Sequence, residues 1–96
     1  MLLILLSLKH CAPCRLAKPR LQAVADQYGL TLLTIDYHSP LGKQYAEALH
    51  LKMAPSVLLA TEPESGPPLA GDLPARVIAR TQGLTDAARY ATLLGL

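Results

Sequence analysis

Leu2-Leu3-Ile4-Leu5-Leu6-Ser7-Leu8-Lys9-His10-Cys11-Ala12-Pro13-Cys14 is the stretch that sets the fold, because an apolar run gives way within three residues to a helix-forming segment that opens on two cysteines. The run Leu2 to Leu8 has the length and composition of a central strand covered on both faces, as in parallel sheets. Cys11 is placed to cap the following helix, and Pro13 falls in its first turn, where the missing N–H costs nothing. Ala17, Leu21, Val24 and Tyr28 then recur at helical spacing, and Gly29 stops the helix. Pro19 lies inside it and should cost about 3 kcal/mol with a kink unless the fold requires the bend.

Cys11 and Cys14 are the only two cysteines of the chain. Separated by two residues at a helix start, they can close a small disulfide and reopen it. As a staple the pair would be weak: in the chain-entropy picture so small a ring removes about 2 kcal/mol of unfolded-state freedom, against about 4.7 kcal/mol for a loop of about a hundred residues. The unpaired N–H groups and macrodipole of a helix start favour negative charge, and therefore a thiolate at Cys11. Because the thiolate is the attacking species, the pattern implies redox exchange.

Further along, Thr31 to Asp36 is apolar and β-branched, and its connection through the first helix makes a parallel, right-handed βαβ unit with the first strand. Ser39-Pro40 starts a second helix running through Leu51, with Leu41, Tyr45, Ala48 and Leu49 available for a buried stripe. Ser56 to Thr61 reads as a third strand and Arg76 to Thr81 as a fourth. Their connector, Glu62 to Ala75, carries Pro63, Gly66, Pro67, Pro68, Gly71 and Pro74 and reads as an exposed, mobile loop. Gly83 breaks the chain before a last helix from about Thr85 to Leu94, where Thr85 and Asp86 favour a start. The order is β-α-β-α-β-β-α.

Ninety-six residues fit one domain, residues 1–96. With 51% hydrophobic residues but no Trp or Phe, the interior has to be built from Leu, Val, Ile, Ala and Tyr. Nine basic and seven acidic residues give a net charge of +2 and are scattered singly, without the basic stripe that tracks phosphates, so nucleic acid is excluded as a partner. The apolar start lacks a basic n-region and a small-residue cleavage site and is far short of a membrane span. It reads as a buried strand of a cytoplasmic protein with no membrane partner, and in that compartment a lone C-x-x-C is catalytic more often than structural.

Taken together these features resemble the thioredoxin family along nearly the whole chain. Cys11-Ala12-Pro13-Cys14-Arg15 resembles its C-G-P-C-K, Pro19 its kinking helix proline, Thr34-Ile35-Asp36 the end of its next strand, Met53-Ala54-Pro55-Ser56 its I-P-T segment, and Gly83 the glycine after its last strand. The resemblance implies an α/β thioredoxin-like fold with a four-stranded mixed sheet flanked by three helices. It also implies a cis Pro55 facing the cysteines, a substrate-docking surface at Ala54, Pro55 and Gly83, and helix support from Pro13 and Pro19. The implied activity is reduction of protein disulfides, with Cys11 as nucleophile and Cys14 as resolving cysteine. No cofactor beyond the Cys11–Cys14 redox disulfide is implied. The partners would be disulfide-containing client proteins and an electron-donating reductase or glutathione. Two departures bear on mechanism: the family's buried acid falls at Leu5, and the tryptophan before the first cysteine falls at His10. The preliminary strand and helix are absent too, giving a glutaredoxin-sized chain, so a glutathione-linked redoxin is one alternative.

Another alternative is a non-catalytic binding or metal-holding module. Cys11 and Cys14 with His10, His38 or His50 offer sulfur and nitrogen ligands, but the histidines lack the paired spacing of zinc sites, and no metal is expected. Arg15 stands where haem attachment requires a histidine. His10, if protonated, would favour the Cys11 thiolate; as a bland reading it is an exposed loop residue. Lys9 and Arg15 read as solvated charges, and His38 and His50 as surface residues of a turn and a helix end.

Overall fold

The computed structural model describes residues 1–61 and 68–96. Its elements are β1 (Leu2–Ser7), α1 (Ala12–Tyr28), β2 (Thr31–Asp36), α2 (Pro40–Leu49), β3 (Ser56–Ala60), α3 (Leu73–Arg76), β4 (Val77–Gln82) and α4 (Ala87–Leu93). The strands form one sheet in the order β2-β1-β3-β4. β1 runs parallel to β2 and antiparallel to β3, and β4 is antiparallel to β3. This is the mixed four-stranded α/β arrangement expected, with a one-turn helix added between the last two strands.

The unbroken apolar run of β1 follows from its burial on both sides. Leu2, Ile4 and Leu6 point into a core completed by Ile35, Tyr45, Leu49, Leu58 and Leu73. Leu3 and Leu5 point into the opposite core with Ala17, Leu21, Val24, Val57, Leu59, Tyr90 and Leu94. Successive strand side chains face opposite ways, so a strand sandwiched between α2 on one face and α1 with α4 on the other leaves no position for a polar residue from Leu2 to Leu6, and Ser7 comes only where burial falls off at its end.

α1 ends at Gly29, which adopts φ 66° and returns its N–H to the Ala25 carbonyl, the left-handed stop glycine makes cheaply. The expected helical stripe holds through Val24, but Tyr28 lies exposed at the last turn, where the helix has passed the edge of the sheet. In α2 the stripe uses Tyr45, Ala46 and Leu49, whereas Ala48 is only half-buried. Gly42 was not singled out by the sequence, yet a Cβ there would meet the Asp36 carbonyl oxygen at 2.0 Å and that of Tyr37 at 2.9 Å. The glycine lets α2 start hard against the end of β2.

The connector between β3 and β4 departs in part from expectation. Glu62, Pro63, Gly66 and Pro67 lie outside the described residues; the second half is largely exposed, as expected, but it is anchored at two points and carries a helical turn. Pro68 is buried and its carbonyl accepts the Tyr45 hydroxyl, Leu73 is fully buried, and Leu73–Arg76 form α3. Pro74 sits in the first turn of α3, where proline is compatible with a helix. Composition alone suggested mobility; a single leucine anchoring the turn in the α2 core supplies the order. Arg76 accordingly belongs to α3, and β4 begins at Val77.

Candidate active site

Strand polarity brings the candidate residues to one end of the sheet. Leu6 of β1 pairs with Ser56 of β3, Ser56 pairs with Gln82 of β4, and Ser7 pairs with Asp36 of β2. The segment carrying Lys9 to Cys14, the Ala54–Pro55 peptide, Gly83 and the turn after Asp36 therefore all emerge at the same edge. The next layer of structure fixes what each presents.

Cys11 is the N-cap of α1, extended at φ −118° and ψ 107°, and its Sγ accepts the Cys14 N–H at 3.2 Å. Cys11 and Cys14 are joined in a disulfide with their Cα atoms 5.2 Å apart. The two sulfurs are not equivalent. Cys14 is 1% exposed, one turn into the helix, whereas Cys11 is half-buried at its mouth. Pro13 lies in the first turn and Pro19 in the interior of the same helix, as the sequence places them.

Ala54–Pro55 is a cis peptide bond, as the resemblance implies. Pro55 is buried, and its carbonyl accepts the Gly83 N–H at 2.8 Å, locking the entry of β3 to the exit of β4. Gly83 takes φ 95°, a conformation that favours glycine. Two residues that sequence reading missed hold the loop after it. The Tyr90 hydroxyl donates to the Gly83 carbonyl at 2.7 Å, and Arg20 Nη1 donates to the Thr85 carbonyl at 3.1 Å. Burial pushes the Tyr90 hydroxyl pKa up, against the Thr85 backbone and the Arg20 charge, which favour ionisation. Tyr90 could be read from the sequence as an apolar helix residue, but nothing there signals where its hydroxyl goes.

Beneath the cysteines Leu5 is fully buried among aliphatic side chains, and among the described residues the only buried polar residue is Ser56. Its Oγ donates to the Met53 carbonyl at 2.5 Å. Met53 is half exposed and its Cε lies 3.9 Å from where a Cβ on Gly83 would be, so the edge at Pro55 and Gly83 carries an apolar side chain.

On the other side of Cys11, Leu8, Lys9, His10 and His38 line a hollow of about 240 Å³. His38 follows β2, with its N–H bonded to Asp36 Oδ1 at 2.9 Å and its ring set edge-on to Tyr37. His10 and His38, separate in sequence, thus share a cleft, while His50 caps α2 elsewhere at φ 55°. A larger hollow of about 400 Å³, against His50, Pro74, Ile78 and Arg80, shares no residue with the cysteine end. Among the described residues no group of three or more His, Cys, Asp and Glu side chains is arranged to hold a metal ion, and no helix is long and apolar enough to cross a membrane.

The fold is that of the thioredoxins. The chain is similar to oxidized mitochondrial thioredoxin 3 from Saccharomyces cerevisiae, with a TM-score of 0.70 and 17% identity over 99% of this chain and 77% of that one. It is similar to thioredoxin 1 from the thermophilic eubacterium Thermosipho africanus TCF52B, with a TM-score of 0.68 and 15% identity over 99% and 91% of the two chains. Chloroplastic thioredoxin z gives a TM-score of 0.66 and 20% identity over 98% and 74%. No family model matches the sequence, and neither does any curated protein.

Proposed function

We propose that this chain is a thiol–disulfide oxidoreductase that reduces disulfides in client proteins through a Cys11–Cys14 dithiol/disulfide cycle. The observation that carries the reading is the unequal burial of the pair: a reachable sulfur at the helix mouth and a shielded one a turn below it. The Cys11 thiolate, favoured by the Cys14 N–H that its sulfur accepts and by the positive end of the α1 dipole, attacks one sulfur of the client disulfide. That bond breaks, Cys11 forms a mixed disulfide, and the other client sulfur leaves as a thiolate. Cys14 then loses its proton and attacks the Cys11 sulfur, closing the internal disulfide and releasing the second client thiolate. Two electrons pass from the dithiol to the client. Of the two protons the client takes up, one comes from Cys14 and one from solvent, matching the one Cys11 gave up on ionising.

Ala54 offers its backbone to an extended client segment, while Pro55 and Gly83, bonded to each other and, through Gly83, to Tyr90, hold the surface on which that segment lies; Pro13 and Pro19 shape the helix that presents the cysteines. A separate reductase or glutathione restores the dithiol, and the cytoplasm is the compartment in which such a cycle runs. Leucine at position 5 supplies no carboxylate to take the Cys14 proton. His10, next to Cys11, favours the thiolate when protonated; His10→Ala should then shift the alkylation-versus-pH curve of Cys11 upward, and an unmoved curve refutes that role.

Insulin reduction tests the whole reading. Cys11→Ser should abolish turnover, and Cys14→Ser should accumulate a protein–client mixed disulfide visible on a non-reducing gel. Client binding by the reduced wild-type protein without turnover would replace this reading with that of a non-catalytic module.

A further inference from the structure

The sheet order β2-β1-β3-β4 puts Pro55 and Gly83 on one side of the cysteines and leaves a groove on the other, toward β2. Two hollows make it up. One, of about 240 Å³, is lined by Leu8, Lys9, His10 and His38; the other, of about 190 Å³, by Ser7, Leu8, Lys9, Thr34 and Asp36. Leu8 and Lys9 belong to both, so the hollows adjoin. The groove has an apolar floor at half-buried Leu8 and exposed basic side chains at the end nearest Cys11. The carboxylate of Asp36 lies at the far end, accepting the His38 N–H.

A disulfide joins two chain segments, and the edge at Pro55 and Gly83 accommodates one of them. We infer that the groove toward β2 receives the second, the segment that departs with the sulfur not captured by Cys11, and that it selects a segment with an acidic side chain next to its cysteine. This rests on the reductase reading and adds its substrate class. Lys9 pairs with the carboxylate, with the exposed His10 and His38 side chains placed to hydrogen-bond it, and the lysine charge stabilises the departing thiolate, which leaves faster the lower its basicity. The contacts are exposed, so the selection is about fivefold, the size that one or two surface ion pairs supply.

Two arms test this. In the first, NMR titration of the oxidised protein follows an extended peptide with serine in place of cysteine, flanked either by Glu or by Gln. The expected result is tighter binding of the Glu peptide, with amide shifts at Lys9, His10 and His38 that fade in 0.5 M salt as screening shortens to about 4 Å. Equal affinities, or shifts confined to the neighbourhood of Pro55 and Gly83, overturn the inference. In the second arm the reduced protein is mixed in single turnover with two-chain cystine peptides whose leaving chain carries Glu or Gln, and the ratio of the two rates is read. Wild type should favour Glu, and Lys9→Gln with His38→Gln should bring the ratio toward one; a ratio of one in wild type overturns the inference. Failure to reduce either peptide overturns the oxidoreductase reading instead, and the binding arm then still decides the groove.

Discussion

Replacing Tyr90 by phenylalanine separates what the C-terminal helix does for stability from what it does for the edge at Pro55 and Gly83, proposed to dock the client. The ring is fully buried in the α1–α4 core, so Tyr90→Phe keeps the packing and deletes one oxygen, the donor 2.7 Å from the Gly83 carbonyl. Loss of the bond, with a half-buried acceptor left partly unsatisfied, should cost about 1–2 kcal/mol. For a domain of this size each kcal/mol lowers Tm by about 4–8 °C, readily measured by far-UV circular dichroism. The functional part is distinct. Gly83 also donates its N–H to the Pro55 carbonyl at 2.8 Å, so loosening its loop should raise KM for a protein disulfide while leaving kcat near wild type. Arg20→Gln, which frees the Thr85 carbonyl, should act in the same direction. A Tyr90→Phe protein whose Tm moves by less than about 1 °C and whose KM is unchanged would refute the tether.

Gly42→Ala should destabilise by about 3 kcal/mol or more in urea denaturation, because its Cβ would sit 2.0 Å from the Asp36 carbonyl oxygen and backbone, not a flexible side chain, has to give; a wild-type midpoint would show that α2 starts elsewhere. Leu73→Ala should cost about 2–5 kcal/mol, and a loss below about 0.5 kcal/mol, the size of a surface change, would return the β3–β4 connector to the status of a loop. Burial raises the hydroxyl pKa of both Tyr45 and Tyr90. Their contribution is therefore fully present below the ordinary tyrosine value of about 10 and lost above it, as the unfolded chain ionises first. Tyr45→Phe should flatten that alkaline decline, and a decline identical in wild type and variant would count against it.

Much of this architecture is legible in the sequence because its strongest signals are local. A seven-residue apolar run, a cysteine followed by proline at a helix start and a glycine after Tyr28 each act on their own neighbours. The cysteine asymmetry is legible for the same reason: helix position dictates burial. What escaped reading depends on chain segments that meet only after folding. Tyr90 to Gly83, Arg20 to Thr85 and His10 beside His38 are such encounters, and no periodicity encodes them. Gly42 was overlooked because its reason is a backbone on another element. The connector was misjudged because proline and glycine content speaks to local stiffness and not to whether one leucine finds a hole to fill.

The antiparallel course of β3 also has a practical side. Ala60 pairs with Leu2 and Val77 at the pole of the sheet opposite the cysteines. Cargo spliced between Thr61 and Pro68, such as a fluorophore-bearing peptide or a surface tether, would leave from the pole remote from the helix mouth. Immobilised by that handle, the molecule would turn its sulfur chemistry outward, a ready geometry for an electrode or a sensor chip.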